Sequence, residues 1–263
     1  MSLVRIAARI AIRQALLGKT KVGDNVLDSQ IGLIDSALAG EEDSPANKPF
    51  ISIYADAGSS RESDNDLRSF SSNGLTDFMF EVGFSARHVT TDPDTDEAVV
   101  LEGIPATDDS FEFFLDMVVR QIGDALNDAD DPWADLARRL IRKVSSIERA
   151  VATSGQRGVR VALHQMRVQV ELIRDPVKGT PLSTTHPMTT FFSLVEGLDE
   201  ASRAKAAEML AQLEDMPTAL QSAVQRYGFT RQEAEALLLA PVSGVPEETE
   251  ITEIVVSEPD ASP

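Results

Sequence analysis

The sequence has no cysteine among its 263 residues. Without thiols the chain has no disulfide framework, no thiolate zinc site and no thiol nucleophile, a composition that fits a reducing cytoplasm. Long uninterrupted apolar runs are also missing, because the apolar residues near the N-terminus alternate with arginine and glutamine. We therefore expect neither a signal peptide nor a membrane span.

Basic residues are scarce: 24 Lys and Arg stand against 43 Asp and Glu, which gives a formal net charge of -19. This balance disfavours a general nucleic-acid-binding protein, because neutralising phosphates requires clustered cations. A local basic patch is still compatible with it. The length and the apolar fraction of 42% are those of an ordinary globular chain, so we expect one large domain or one domain with appendages.

The acidic charge is unevenly distributed along the chain. From residue 241 to the end there are six acidic residues, no basic residue and four prolines. A segment with so little to bury is expected to be flexible. Within it, residues 251–256 are apolar enough to pair as a short strand with a partner.

An amphipathic basic helix is predicted over residues 3–17 and is expected to end at Gly18. Its apolar stripe consists of Leu3, Ile6, Ala7, Ile10 and Leu17. Three arginines four residues apart form a second stripe, which is either a solvated face or a contact with acidic protein or DNA. We nominate these arginines, with two more from a polar loop at residues 56–74, as a candidate subunit or partner interface. The five residues are Arg5, Arg9, Arg13, Arg61 and Arg68.

The remaining patterns predict an α+β fold: a small mixed or antiparallel sheet flanked by helices, with a C-terminal helical appendage. Strands are expected at residues 50–55, 78–88 and 164–172 from composition and period-two alternation. Asp109 or Ser110 is expected to cap a helix that runs to about residue 126, and Asp131-Pro132 to start another that runs to about residue 152. After an apolar connection at residues 189–198, helices are predicted at residues 201–213, 217–227 and 230–239, the last with a Thr230–Glu233 capping box. We divide the chain into an α+β domain (1–198), the helical appendage (199–240) and the acidic tail (241–263).

No segment of the sequence predicts catalysis or a cofactor. Gly18-Lys19-Thr20 resembles the end of a phosphate-binding loop, but residue 13 is Arg rather than Gly and a helix precedes the turn. Residues 92–103 have aspartates at calcium-loop spacing but lack its glycine and its final glutamate, so an acidic solvated loop is favoured over weak cation binding. The three histidines have no ligand spacing, and His164, on the apolar face of a strand, is expected to be packed. No Gly-x-Ser-x-Gly elbow is present.

The order of these elements resembles the phage tail terminator family, also called minor tail or tail completion proteins, of long-tailed phages. Those proteins begin with an Arg- and Ala-rich helix, followed by a Thr-x-x-Gly-Asp-x-Val-x-x-Ser turn and strand. Later segments that match are the strand after Pro49, the strand at 78–88, the Gly103-Ile104-Pro105 segment before a helix, and a closing strand at 166–173. The likeness covers about residues 1–175. The matching residues of the first turn are Thr20, Gly23, Asp24, Val26 and Ser29.

The resemblance implies a structural virion protein rather than an enzyme. Such proteins form a ring, usually a homo-hexamer, which caps the tail tube, stops its growth and joins the tail to the head connector. The implied partners are other copies of the chain, the tail tube protein and the connector or stopper protein, while genome DNA passes through the channel without sequence-specific binding. The implied location is the neck of the virion, assembled in the host cytoplasm, with no membrane and no cofactor. Alternatives are another head-tail connector or tail assembly protein, or a soluble enzyme or regulatory module.

Overall fold

A computed structural model describes residues 2–30, 48–59, 73–87, 108–156 and 159–214, together with residues 221, 224 and 226–238. The helices are α1 (Leu3–Leu16), α2 (Asp108–Leu126), α3 (Pro132–Leu140), α4 (Pro187–Val195), α5 (Glu200–Glu214) and α6 (Arg231–Ala236). The strands are β1 (Val26–Asp28), β2 (Phe50–Ser59), β3 (Leu75–Arg87), β4 (Ile141–Gln156) and β5 (Val159–Leu172). Arg61, Arg68, the predicted acidic loop at 92–103 and the tail beyond residue 238 lie outside the described residues.

The five strands form one mixed sheet in the order β1-β2-β3-β5-β4. β1 runs parallel to β2, and every other neighbouring pair is antiparallel. The predicted α+β class, with a mixed sheet flanked by helices, is therefore confirmed. β2 and β3 pair as far as Ser59 with Leu75, so the first residues of the predicted loop at 56–74 belong to a strand.

The core lies between one face of the sheet and the helices. Phe78, Phe80 and Val82 on β3 and Val170 on β5 are buried in the same cluster as residues of α1 to α5. Their alternation with polar neighbours is the period-two pattern that predicted these strands. His164 on β5 is also buried, with 7% of its surface exposed, as expected for a packed histidine.

Helix α1 begins at Leu3 after the N-cap Ser2, whose side chain accepts a hydrogen bond from the Arg5 amide. It ends within a residue of the prediction, and Gly18 follows with φ +68°, the left-handed conformation that favours glycine. The predicted apolar stripe is only partly right, because α1 packs against both the sheet and other helices and so buries a broader face. The buried residues are Val4, Ala7, Ala8, Ile10, Ala11, Ile12, Ala15 and Leu16, whereas Leu3, Ile6 and Leu17 are partly buried.

The prediction of a helix that continues to about residue 152 is wrong beyond Leu140, where α3 ends and β4 begins. Two register shifts interrupt β4, one between Ile141 and Lys143 and one between Val144 and Ser146. Each shift adds one residue to β4 relative to β5, as a β-bulge does. Because of these extra residues, apolar residues that are three positions apart on β4 pair with residues that are two positions apart on β5. In the sequence, a spacing of three is the pattern of a helix rather than of a strand. The pairs are Ile141 with Leu172, Val144 with Val170 and Ile147 with Val168.

Two further predictions about helix starts need correction. The apolar connection predicted at residues 189–198 is largely helical, since α4 begins with His186 as N-cap and Pro187 as first residue. Its nine residues include adjacent apolar pairs, Phe191-Phe192 and Leu194-Val195, so its apolar pattern has no clear period. Helix α2 begins at Asp108, so neither Asp109 nor Ser110 is its N-cap. The Asp131-Pro132 start of α3 and the Thr230–Glu233 capping box are both confirmed.

Candidate assembly surfaces

The turn after α1 is closed by backbone hydrogen bonds and leads directly into the sheet. The Gly18 amide donates to the Gly23 carbonyl at 3.1 Å, and the Gly23 amide donates to the Thr20 carbonyl at 2.9 Å. Gly23 has φ +68°, like Gly18, so both glycines are required by the backbone. The turn ends where Val26 starts β1 beside Ile51 of β2.

Lys19, in the middle of that turn, is paired with acidic residues of the α2–α3 connection. Its Nζ lies 3.3 Å from an Asp128 carboxylate oxygen and 3.6 Å from an Asp131 carboxylate oxygen. The hydrogen bond to Asp128 raises the pKa of Lys19, and the charges of both aspartates add to this. Lys19 follows a helix and is held by carboxylates, so Gly18-Lys19-Thr20 has neither the preceding strand nor the free lysine of a phosphate-binding loop.

The three arginines predicted as an interface stripe contact the sheet of their own chain. Arg5 Nη2 donates to the Ala55 carbonyl at 2.7 Å, and Arg13 Nε donates to the Val26 carbonyl at 2.8 Å. Arg9 Nε lies 2.5 Å from Asp28 Oδ1, an ion pair without the alignment of a hydrogen bond. The stripe therefore fastens α1 to β1 and β2, and its role toward a partner stays a prediction.

Asp175 fastens the start of α1 to the residues that follow β5. Its carboxylate accepts hydrogen bonds from the Ser2 hydroxyl at 2.6 Å and from the amides of Leu3 and Val4, each at 3.0 Å. Asn73 Nδ2 lies 3.2 Å from the same carboxylate and 2.6 Å from the Ile173 carbonyl. A carboxylate at this position satisfies amides that a helix N-terminus leaves unpaired and complements the helix dipole.

The sheet face opposite the core carries two polar clusters. In the first, the Tyr54 hydroxyl donates to Glu81 at 2.8 Å and Gln165 donates to the same oxygen at 3.0 Å. Burial, followed by the hydrogen bond to Glu81, raises the pKa of the Tyr54 phenol well above its ordinary value. The Tyr54 phenol therefore keeps its proton at neutral pH and remains a hydrogen-bond donor to Glu81.

The second polar cluster centres on Asp77, a residue with only 4% of its surface exposed. Arg167 Nε donates to Asp77 Oδ2 at 3.0 Å, and Gln169 Nε2 donates to Asp77 Oδ1 at 3.0 Å. The hydrogen bond with Asp77 raises the pKa of Arg167 above its ordinary value. Both carboxylate oxygens of Asp77 are therefore satisfied, which accounts for its burial.

The outer strand of the sheet, β4, exposes three apolar side chains between residues 144 and 151. Within the described residues β4 pairs with β5 on one side and has no strand on the other. Val144, Ile147 and Val151 are 49%, 47% and 63% exposed. We call these three residues, with the free side of β4, the β4 edge. Exposed apolar edge strands attract pairing with another chain, and soluble proteins usually protect them.

A groove of about 410 Å³ lies beside the β4 edge, between the sheet and the ends of α2 and α3. Its floor is apolar, with Phe80, Val168 and Ile122 among the lining residues. Four cationic side chains also line it, an unusual density in so acidic a chain. They are Arg138, Arg142, Lys143 and Arg149. The groove therefore combines an apolar floor with positive charge.

Sequence reasoning missed this groove because residues 141–151 were assigned to a helix. A local signal was present: residues 137–150 hold five basic residues and one acidic residue. Of the predicted interface residues, Arg5, Arg9 and Arg13 lie together on α1, whereas Arg61 and Arg68 are outside the described part of the chain.

The described residues contain no group of three His, Cys, Asp or Glu side chains placed to hold a metal ion. None of the helices in that part of the chain has both the length and the apolar character needed to cross a bilayer. Comparison with known proteins identifies no family model and no curated protein that matches the chain.

Proposed function

We propose that this protein is a structural component of a phage virion. It forms a ring at the head-proximal end of the tail tube, where it ends tube growth and joins the tail to the head connector. The observation that carries this proposal is the β4 edge with its basic groove, because these features suit binding another protein rather than performing chemistry.

The exposure of the β4 edge favours an assembled state. A free edge presents unpaired backbone amides and carbonyls, and strand addition is a common way for another chain to bind there. Val144, Ile147 and Val151 would lose their contact with water in such a complex, which provides a hydrophobic driving force. A partner surface of opposite charge is favoured over a second copy of β4, since the charged residues of β4 are Arg142, Lys143, Arg149 and a single acid, Glu148.

An interface between two unlike surfaces has a consequence for symmetry. Each copy then contributes one surface of each kind, and successive copies either form an open filament or close into a ring. The ring is favoured here by the resemblance of residues 1–175 to tail terminators. The closed turn from Thr20 to Asp24, which leads into β1, is consistent with that resemblance.

The charge of the chain suits a ring around DNA. With a net charge of -19, an assembled ring carries strong negative charge, and phosphate repulsion keeps the genome from adhering to it. Passage without sequence-specific binding follows from the same repulsion. The tail tube protein and the connector or stopper protein would bind the two ends of the ring.

The proposal is tested by light scattering after size exclusion, by negative-stain imaging and by addition of purified protein to tail tubes. We expect a ring that binds one end of the tube. Val144→Asp with Ile147→Asp should reduce it to a folded monomer, whereas Phe113→Asp, at an exposed apolar residue of α2 away from the groove, should leave the ring intact. A wild-type chain that remains monomeric and never binds tube ends would contradict the proposal.

A further inference from the structure

We propose that the β4 edge of each subunit is covered by the acidic C-terminal segment, residues 247–258, of a neighbouring copy. This inference rests on the proposed ring and names the two surfaces that meet between its subunits.

Charge complementarity is the first argument. The segment contains five acidic residues and no basic one, while four cationic side chains line the groove beside β4. The described carboxylates paired with these cations are few. Arg142 lies 2.9 Å from Glu171, and Arg138 lies 3.8 Å from Asp135. Lys143 and Arg149 are exposed and well placed to meet added negative charge.

The apolar pattern of the segment is the second argument. In an extended strand Thr252, Ile254 and Val256 share one face, because successive side chains alternate. That face matches the row formed by Val144 and Ile147 on β4, while Glu250, Glu253 and Glu258 flank it. An apolar strand with acidic flanks therefore fits a groove with an apolar floor and a basic lining.

The poor match of β4 with a second copy of itself is the third argument. In the antiparallel register that places Val144 opposite Ile147 of the other copy, Arg142 lies opposite Arg149, and like charges across a strand pair are destabilising. An acidic strand from a different part of the neighbouring chain avoids this repulsion. It also gives every subunit one donor segment and one acceptor edge, as a closed ring requires.

The test mixes two full-length variants, each defective on one of the two surfaces. The tail variant carries Ile254→Asp with Val256→Asp, and its matched control carries Val242→Asp with Val245→Asp, the same change outside the segment. The edge variant carries Val144→Asp with Ile147→Asp. A second edge variant, Lys143→Glu with Arg149→Glu, changes only exposed charges in case the first does not fold.

We expect wild type and the control to form rings and each defective variant to be monomeric. An equimolar mixture of tail and edge variants retains one intact edge and one intact tail, so it should give a heterodimer of twice the monomer mass and no ring. Light scattering gives these masses directly, and circular dichroism checks the fold of each variant.

Three results would overturn the inference. A tail variant that still forms rings would exclude the segment while leaving the ring proposal standing. A ring-forming edge variant that no longer binds tail tubes would show that the tube protein covers β4. A monomeric wild type whose β4 amides exchange slowly, and faster in the tail variant, would show that the segment docks on its own chain; the ring proposal would then fail as well.

Discussion

Asp175 is a single side chain that stabilises contacts between distant parts of the sequence. Its carboxylate accepts hydrogen bonds from the Ser2 hydroxyl and the amides of Leu3 and Val4. We predict that Asp175→Ala lowers the free energy of unfolding by about 2 to 3 kcal/mol, because it leaves these donors without a charged acceptor. Urea unfolding followed by circular dichroism measures the change.

A matched aspartate is available as the control for Asp175. Asp124 makes an ion pair with Arg120 on the exposed face of α2. Asp124→Ala should change the unfolding free energy by less than about 0.5 kcal/mol, since exposed pairs contribute little. If the two variants proved equally stable, Asp175 would have no special role at the start of α1.

His186 is expected to make stability depend on pH. Its Nδ1 accepts a hydrogen bond from the Met188 amide at the start of α4, and only an unprotonated nitrogen can accept. Burial, and then the charge of Arg139, lowers the pKa of His186 below its ordinary value of 6.5. The unfolded chain therefore binds the proton first, so this stabilisation is complete above about pH 6.5 and is lost as the pH falls through the lowered pKa.

His186→Asn isolates this effect from that of other histidines. Asparagine is a good N-cap that does not titrate in this range, so α4 keeps an acceptor at its first turn. Thermal unfolding measured between pH 7.5 and 5.5 should show a smaller loss of stability for the variant than for wild type. Parallel pH profiles for the two proteins would show that His186 does not cause the dependence.

At the scale of elements, the arginines of α1 hold the helix against the first two strands. We predict that Arg9→Ala or Arg13→Ala each lowers the free energy of unfolding by about 1 to 3 kcal/mol, because each removes a charged partner of β1. Chemical denaturation of the two variants measures this loss. Arg120→Ala on the exposed face of α2 is the matched control and should have almost no effect. Variants of Arg9 and Arg13 as stable as wild type would instead favour a solvated stripe.

The elements with an uninterrupted period were predictable from the sequence, and those without one were not. α1, β3 and β5 follow their helical or strand periods closely, so the predicted positions agree with the structure to within a few residues. β4 contains two bulges, and its apolar residues recur at the helical spacing of three or four. α4 has only nine residues, its apolar residues stand in adjacent pairs, and histidine at its N-cap is not a common start signal.

The wrong prediction of a helix over β4 is also the reason why the sequence did not indicate the β4 edge and its groove. As a helix, residues 141–151 would have turned Val144, Ile147 and Val151 toward the core. As a bulged edge strand, they lie on the face beside the groove and remain between 47% and 63% exposed. Pairing with β5 is a tertiary contact across the sheet, and local composition does not encode it. The sequence shows that basic residues cluster near β4, but only the strand structure places them around one groove.

At the scale of the whole molecule, a net charge of -19 opposes assembly between copies of the chain. Interfaces that bring unlike charges together can overcome this repulsion locally. The groove beside β4 and the C-terminal segment carry opposite charges, so their contact should weaken as salt screens it. The charge distribution thus permits assembly through one specific contact while keeping other surfaces apart.

Removal of the C-terminal segment should affect ring formation without affecting the thermal stability of the folded chain. We predict that truncation after Leu239 shifts the thermal midpoint by less than about 2 °C when both chains are diluted until light scattering shows only monomers, because the described core cluster is built from residues up to Met209. At the higher protein concentration where the wild type forms rings, the same truncation should abolish the ring, as measured by light scattering. A large loss of thermal stability would mean that the segment packs on its own chain, since a contact made only between copies cannot stabilise the monomer.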